Sequence, residues 1–355
     1  MFDVNDFDET LPGPWEWDVK RLAASLEVAG RDNGFAGKDR REIVTATVAS
    51  YRQAMRNFAK MTNLDVWYAH ADLEQVRAEY ESQMKKRQRK VAAKAMAKAP
   101  TRDSMQELAK LTRIVDGRPH IIADPPLLVP IADLLPPETG QAVFEAQFKD
   151  LLAGYRRTLE TDHRFLLETF EYADIARKVV GVGSVGTRCW IVLMLGRDES
   201  DPLFLQVKEA DKSVLAAFAG ASEYTNQGQR VVAGQRLMQA SSDIFLGWQR
   251  TEAGLDGKQR DYYVRQLRDR KYSADIETMV PRGMRIYGEL CGWTLARAHA
   301  RSGDRIAIAA YLGGSGVFDQ AITRFAAAYA DQNERDHKSL VDAIASGRIT
   351  AERDM

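Results

Sequence analysis

The sequence predicts an α+β protein in which helices and strands occupy separate stretches of the chain. Apolar residues recur at helical spacing between residues 15 and 61. Short apolar runs bounded by glycine and polar turns recur within residues 178–266, around one interposed helical stretch, as expected for antiparallel strands. From about residue 282 the pattern is helical again. This order differs from the strict strand–helix alternation of a doubly wound sheet.

Helical periodicity covers most of the chain outside the strands. WEWDVKRLAASLEVAG, residues 15–30, carries a broad apolar face and ends at Gly30. Further helices are predicted over residues 38–61, 64–98, 141–178 and 211–242. The seven basic residues between Lys85 and Lys98 favour a solvated helix face over an anion-binding site.

About five short strands are predicted between the two helical parts. KVV leads into a glycine-rich turn and RCWIVLML leads out of it, followed by LFLQVKEA and by a hairpin of DIFLGWQR and DYYVRQLRDR. We therefore expect a large helical lobe with an acidic strand at 1–175 and a small antiparallel sheet lobe at 176–275. A C-terminal helical part at 276–355 is expected to pack with the first lobe.

Composition excludes several classes of protein. Equal numbers of acidic and basic residues, 50 of each, give no net field that would favour nucleic acid or a membrane surface as partner. Two distant cysteines, Cys189 and Cys291, exclude a disulfide scaffold and a cysteine-based zinc site. No apolar run approaches the ~20 residues of a membrane span, and the acidic N-terminus is unlike a signal peptide. The sequence thus predicts a cytoplasmic protein and leaves its oligomeric state open.

The segment GVGSVG places Gly181, Gly183 and Gly186 at G-x-G-x-x-G spacing, with Ser184 between them. A dinucleotide-binding fold requires a helix directly after the third glycine, whereas TRCWIVLML favours a strand. Asp201, at a suitable distance to bind a ribose, precedes a strand rather than ending one. A kinase-type glycine loop between two antiparallel strands fits the pattern better.

Lys208 lies on the second strand after this loop. Period-two alternation places it with Phe204 and Gln206 on one face of the strand, opposite Leu205. In kinase-type sites a lysine at this position contacts the nucleotide phosphates. A surface lysine is the alternative for Lys208 alone, and its spacing from the glycine loop favours the phosphate role.

The first residues, FDVNDFDE, bring Asp3, Asp6, Asp8 and Glu9 close together. Such carboxylates repel one another unless a cation or a basic group lies near. Magnesium in phosphoryl transfer is held by rigidly placed carboxylates, so the sequence predicts a magnesium site here, with a solvated acidic turn as the alternative. His299 lies between alanines on an apolar helix and is interpreted as a core histidine rather than a ligand.

Long strings of the sequence resemble the bacterial family called domain of unknown function 2252. They are FDVNDFDETLPGPWEWDVKRLAASL, KVVGVGSVGTRC, PLFLQVKEA, GQRVVAGQRLMQASSDIFLGW, YYVRQLRD and LARAHARSGD, and they extend from residue 2 to about 332. This family resembles the aminoglycoside-phosphotransferase and protein-kinase fold. The resemblance implies a kinase-like domain with ATP and magnesium as cofactors.

The resemblance also implies roles for individual residues. Asp6 would be a catalytic metal ligand, Asp8 a second metal ligand, and Asp18 would brace the catalytic loop. Lys208 would be catalytic and hold the phosphates, beneath a nucleotide loop formed by Gly181, Gly183, Ser184 and Gly186. Gln266 and Leu267 would form the adenine hinge.

Three departures from the kinase pattern follow from the same comparison. The acidic metal segment precedes the glycine loop, so a circularly permuted order is expected. A catalytic-loop segment resembling Gly-Asp-x-His-x-x-Asn stands upstream of the acidic strand in family members, so we expect an N-terminally truncated chain with impaired catalysis. The helix GQRVVAGQRLMQ lacks an acidic residue to pair with Lys208, and Glu223 is the nearest candidate.

The sequence therefore predicts an ATP- and magnesium-dependent, kinase-like phosphotransferase with an unknown acceptor. A non-catalytic, pseudokinase-like nucleotide-binding module is the alternative, and a dinucleotide oxidoreductase is a distant third. The kinase-like hypothesis requires Asp6 and Lys208 to approach within roughly 10 Å in the folded chain.

Overall fold

The computed structural model describes residues 2–71, 110–115, 117–135, 140–179, 186–252, 257–267 and 274–351. The chain forms two compact units. The helical unit comprises Met1–Val4, Gly13–Ser82 and Ala274–Met355, and the sheet unit comprises Asn5–Pro12 and Gln83–Ser273. We call Asn5–Pro12 the acidic segment.

The described helices and strands are numbered in chain order. The helices are α1 (Glu16–Asp32), α2 (Gly37–Phe58), α3 (Asn63–Tyr68), α4 (Gly140–Arg156), α5 (Thr161–Leu167), α6 (Ala216–Ala219), α7 (Gln227–Met238), α8 (Pro281–Ser302), α9 (Arg305–Leu312) and α10 (Val317–Ala345). The strands are β1 (Thr112–Val115), β2 (Arg118–Ile121), β3 (Leu128–Pro130), β4 (Glu171–Lys178), β5 (Cys189–Leu195), β6 (Pro202–Ala210), β7 (Gly247–Thr251) and β8 (Arg260–Gln266). Short 3₁₀ turns cover Ile131–Asp133 and Ile276–Thr278.

The core of the helical unit forms where α2 crosses α8. Gly288 and Gly292 of α8 lie against Thr47 of α2, and a Cβ at Gly292 would overlap the Thr47 carbonyl. The two glycines therefore allow the helix backbones to approach closely. Around this crossing, α1, α9 and α10 contribute apolar side chains such as Leu26 and Ile322 to one continuous core.

Hydrogen bonds in the helical unit connect buried Tyr51 and His299 to the exposed side chain of Asp18. His299 of α8 lies 2.8 Å from the Tyr51 hydroxyl through Nδ1 and 3.1 Å from Asp18 Oδ2 through Nε2. Burial raises the pKa of Tyr51, and the Asp18 charge raises it further, so the phenol stays protonated and donates to Nδ1. Nε2 then donates to Asp18. Both ring nitrogens have partners, as expected for a core histidine.

The sheet unit is built on six antiparallel strands in the order β3-β4-β5-β6-β8-β7, beside a separate β1–β2 hairpin. The alternation predicted for β6 is confirmed. Leu203 and Leu205 pack on one side of the sheet with Phe148 of α4. Phe204 packs on the other side with Ile191 and neighbouring apolar residues. Lys208 therefore belongs to the Phe204 side of the sheet.

The structure differs from the sequence prediction in two stretches. Residues 171–178, predicted as helix, form β4, because they pair with both β3 and β5 and this pairing outweighs their helical spacing. Within residues 211–242, only α6 and α7 are helical. Most of the helix predicted over residues 64–98 lies outside the described residues, including the basic run.

The two units also divide the chain differently from the predicted lobes. The acidic segment and residues 110–175 belong to the sheet unit. Phe148 of α4 lies 4.7 Å from Tyr172 of β4 between ring centroids, so α4 packs on the sheet. The helical unit begins again at Ala274, close to the boundary predicted at residue 275.

Candidate functional site: a lysine–carboxylate pair on the sheet

Lys208 lies near the end of β6, between the two strands that flank it. Its register partners are Cys189 on β5 and Tyr263 on β8. Its ammonium group lies 2.6 Å from Asp8 Oδ2 and 5.5 Å from the centre of the Tyr263 ring. The acidic segment and Lys208, 200 residues apart in sequence, therefore meet on one face of the sheet.

The Asp8 carboxylate is held at both oxygens. Lys208 donates to Oδ2, and the Tyr263 hydroxyl donates to Oδ1 over 2.6 Å. Burial is the largest influence on the pKa of Asp8 and acts to raise it. The two hydrogen bonds and the charges of Lys208 and Arg265 together outweigh burial, so the pKa lies below its ordinary value. Burial raises the pKa of Tyr263, and the Asp8 charge adds to this effect, so the phenol remains a donor.

Arg230 of α7 anchors the backbone of the acidic segment. The side chain is 3% exposed and donates to the carbonyls of Thr10 at 2.6 Å and of Asp8 at 2.8 Å. It also donates to the carbonyl of Asp211, just after β6, at 2.8 Å. One guanidinium thus ties the acidic segment to the end of the lysine strand, which fixes the Asp8 side chain over the sheet.

Asp6 has an unusual backbone conformation. Its φ is +70°, which makes it the one non-glycine residue with positive φ among the described residues. Residues in sparsely populated backbone regions cost about 1–3 kcal/mol and concentrate at functional sites. The Asp6 side chain is exposed next to buried Phe7, and its charge is among those that raise the pKa of Tyr263. Asp6 is therefore held near the Asp8 pair with its carboxylate open to solvent.

The predicted nucleotide loop connects β4 to β5. Gly181, Gly183 and Ser184 lie outside the described residues. Gly186 is described, with a φ of +90° that favours glycine. The antiparallel strand β5 begins at Cys189, where a dinucleotide fold requires a helix.

The predicted adenine hinge lies at the end of β8. The Gln266 amide donates to Asp243 Oδ2 at 2.6 Å, and the Leu267 amide donates to the Phe204 carbonyl at 2.8 Å. Protein acceptors thus already engage both amide N–H groups. The hinge role of this pair stays a prediction.

Sequence reasoning predicted Asp8 as a metal ligand but missed its pairing with Lys208, and it missed Tyr263 and Arg230 altogether. Asp8, rather than Glu223, pairs with Lys208; Tyr263 holds the same carboxylate; and Arg230 anchors its backbone. A signal for Arg230 was present, since this arginine stands directly before the apolar residues Val231 and Val232 of α7. Tyr263 could be found only from the register that places it opposite Lys208.

The donor set suits magnesium bound together with phosphates. Among the described residues, no group of three or more His, Cys, Asp or Glu could hold a metal ion alone. Magnesium commonly takes only one or two carboxylates and completes its octahedron with waters and phosphate oxygens. Asp6 and Asp8 supply this number of carboxylates, and Lys208 supplies the adjacent positive charge.

Comparison with known proteins identifies the family. The family described as "Uncharacterized protein conserved in bacteria (DUF2252)" matches residues 1–343. The chain belongs to this family. The resemblance inferred from the quoted strings is thereby confirmed. No curated protein and no solved structure matches the chain.

Membership of DUF2252 covers both units, including the acidic segment, the glycine loop and Lys208. The family description assigns no activity, so the chemistry of the site has to be argued from its residues. Across the described part of the chain, no helix is both long enough and apolar enough to span a membrane.

Proposed function

We propose that this protein is a kinase-like phosphotransferase that binds ATP with magnesium on the Lys208 face of its sheet. The observation that supports the proposal best is the ion pair between Lys208 and Asp8. It joins a strand lysine to a carboxylate-rich segment beside two antiparallel strands that the glycine loop connects. We further propose that the fold is circularly permuted, because the metal-binding segment precedes the glycine loop in the chain.

The proposed roles follow from charge. Lys208 contacts the phosphate oxygens, as the strand lysine does in kinase-type sites. Asp6 and Asp8 hold the magnesium, which neutralises charge that develops on the transferred phosphoryl group. Gly181–Gly186 covers the phosphates, and Gln266 with Leu267 lies beside the base.

Binding exchanges the partners of two charged groups. The Lys208 ammonium would contact phosphate oxygens in place of Asp8, and the Asp8 oxygen that Lys208 now contacts would then be available to hold the metal. The Tyr263 hydroxyl keeps its bond to the other Asp8 oxygen and so preserves the orientation of the carboxylate. This exchange leaves neither charge unpaired before or after binding, which avoids the cost of a desolvated lone charge.

Nucleotide binding is tested by thermal unfolding with ATP and magnesium. We expect the melting temperature of the wild type to rise, since a ligand at ~100 times its Kd stabilises the folded state by about 2.7 kcal/mol. Lys208→Ala should lose most of this rise. Lys212→Ala, four residues further at an exposed position, should retain it. Equal shifts of the melting temperature in the two variants would show that Lys208 does not contact the nucleotide.

A non-catalytic nucleotide-binding module is the second candidate. One observation favours it: both Asp8 oxygens already have donors within the protein, so the ligand-free site is stable without metal. ADP release from ATP separates the two candidates. Turnover that requires magnesium and Lys208 supports the transferase, whereas magnesium-dependent binding without turnover supports the binding module.

A further inference from the structure

The face of the sheet opposite Lys208 carries a separate cavity. It has a volume of about 430 Å³ and lies between α4 and the strands, within the sheet unit. Leu205 and Val207 line it and alternate with Lys208 along β6, so the cavity and the lysine lie on opposite sides of the sheet. The volume falls within the range of about 300–1,000 Å³ typical of small-molecule sites.

Two rows of paired residues form an apolar floor. In the first row Val192 of β5 pairs with Leu205 of β6. In the second row Val207 of β6 lies between Trp190 of β5 and Val264 of β8. These residues all line the cavity. Neighbouring strands lie about 4.8 Å apart and residues on one face of a strand about 7 Å apart, so the floor measures roughly 10 by 7 Å.

Aromatic side chains line the cavity beside this floor. They are Phe144, Phe148 and Tyr155 of α4 and Tyr262 of β8. Phe144 and Phe148 stack with ring centroids 5.9 Å apart. The Tyr155 hydroxyl donates to the Phe245 carbonyl at 2.5 Å, so this polar group is already engaged within the protein. An aromatic ligand can pack against such rings face to face with an offset or edge to face.

The row that follows the apolar floor is charged, and its charges are paired with one another. Glu209 lies on the same face of β6 as Val207. Its Oε2 atom accepts from the Arg188 amide at 2.9 Å and from Arg188 NH1 at 3.4 Å, and its Oε1 atom accepts from Arg260 Nε at 2.9 Å. Both arginines have further interactions as well. Neither guanidinium is therefore free to receive an anionic ligand.

The other charges at the cavity are also engaged or balanced. Arg250 donates to Asp261 at 2.6 Å, and Glu252 accepts from Gln259 at 2.6 Å. Among the described residues, the charged groups that line the cavity or pair with its arginines are three guanidinium groups and four carboxylates: Arg188, Arg250, Arg260, Asp150, Glu209, Glu252 and Asp261. An anionic ligand would have to displace a carboxylate from its arginine, and a cationic ligand would meet the guanidinium groups. Burying either charge without a partner is costly.

We propose that this cavity binds an uncharged aromatic molecule of about two or three rings, the size that a floor of roughly 10 by 7 Å admits. The rings lie on Trp190, Val207 and Val264, with Phe148 of α4 beside them. Apolar burial drives the binding, and the paired charges leave no ionic group for the ligand to satisfy. The site lies on the opposite face of the sheet from the proposed nucleotide site and does not depend on it.

The proposal is tested by fluorescence titration with two dyes that share one skeleton. N-phenyl-1-naphthylamine is uncharged, and 1-anilinonaphthalene-8-sulfonate differs from it by one added sulfonate. We expect the wild type to bind the uncharged dye at one saturable site, at least about tenfold more tightly than the sulfonate, because the sulfonate finds no free cation. Val207→Trp fills the cavity and should abolish this site.

A second variant tests the pairing of charges. Glu209→Gln removes the carboxylate that neutralises Arg188 and Arg260. It should bring the two affinities within about threefold of each other by strengthening the binding of the sulfonate, and it should leave the affinity for the uncharged dye within about twofold. An unchanged preference in Glu209→Gln would show that the pairing does not exclude anions.

Val214→Trp and Glu199→Gln are the matched controls, since both residues are exposed in the same unit and lie outside the cavity. They should leave both affinities unchanged. Wild-type affinity for the uncharged dye in Val207→Trp would overturn the assignment of the cavity. Equal or tighter binding of the sulfonate by the wild type would overturn the uncharged ligand, and no binding of the uncharged dye would overturn the whole proposal. Far-ultraviolet circular dichroism verifies the fold, and Leu152→Trp, on the α4 side of the cavity, replaces Val207→Trp if the latter fails to fold.

Discussion

Arg230→Ala is expected to lower the free energy of unfolding by about 3–5 kcal/mol. The substitution removes hydrogen bonds from a buried guanidinium to three backbone carbonyls, of Asp8, Thr10 and Asp211. Each buried acceptor left without a donor costs about 1–3 kcal/mol. The acidic segment should then detach from the sheet, so magnesium-dependent ATP binding should also be lost.

The matched control for this change is Arg236→Ala on the same helix. Arg236 is 31% exposed and donates to one backbone carbonyl, that of Leu246 at 2.7 Å. Its removal should cost about 1 kcal/mol. Urea unfolding measures both changes in the free energy of unfolding, provided that the dependence of this free energy on urea concentration is the same in each variant. Hydrogen exchange of the β6 and β8 amides shows whether the lost stability lies in the sheet unit. Equal costs for the two variants would show that Arg230 does not anchor the segment.

Asp6→Gly should weaken metal binding and leave the stability of the fold almost unchanged. Glycine adopts a φ of +70° without steric cost but loses more conformational entropy on folding, so we expect stability to change by less than about 1 kcal/mol. Asp6→Ala keeps the unfavourable conformation and should be less stable than Asp6→Gly by about 1 kcal/mol. Both variants lack the carboxylate and should lose magnesium-dependent ATP affinity by at least tenfold, in line with the 10–100-fold cost of disturbing even outer metal contacts.

Titration of ATP with and without magnesium measures this effect. Glu9→Gln is the control, because Glu9 lies in the same segment and its side chain accepts from the Val214 amide at 2.8 Å, a bond that glutamine can keep. It should retain the magnesium dependence. If Asp6→Gly also retains the dependence, then Asp6 is not a metal ligand and the unusual backbone of this residue has another cause.

The placement of Lys208 could be predicted because strand periodicity is local. Alternating apolar residues in LFLQVKEA determine which face each side chain occupies, and the sheet confirms this alternation. For the partner of Lys208, the sequence predicts only that the acidic N-terminal region lies near the lysine, and it does not select the carboxylate that pairs with it. Asp8 is one of several acids in the first nine residues, and only the register of β6 with β8 and the anchor at Arg230 select it.

The helix expected over residues 171–178 shows the limit of local patterns. Ile175 and Ala176 stand at helical spacing from Tyr172, yet this segment pairs with two neighbouring strands as β4. The spacing of residues within a segment carries no information about hydrogen bonds to other strands, and here these bonds determine the conformation of residues 171–178.

The cavity between α4 and the sheet was missed for a similar reason. The sequence shows apolar alternate residues on β5 and β8, but the cavity exists only because α4 covers them.

An acyl-phosphate derivative of ATP reports whether Lys208 lies beside the phosphates of bound ATP. The amine of a lysine next to the terminal phosphate attacks the acyl carbon, takes the acyl group and releases ATP. Mass spectrometry then identifies the modified lysine. We expect acylation of Lys208 in the presence of magnesium, suppressed by excess ATP with magnesium, while Lys178 and Lys212 react weakly and without competition. Acylation of other lysines with Lys208 unmodified, or acylation of Lys208 that ATP does not suppress, would contradict it.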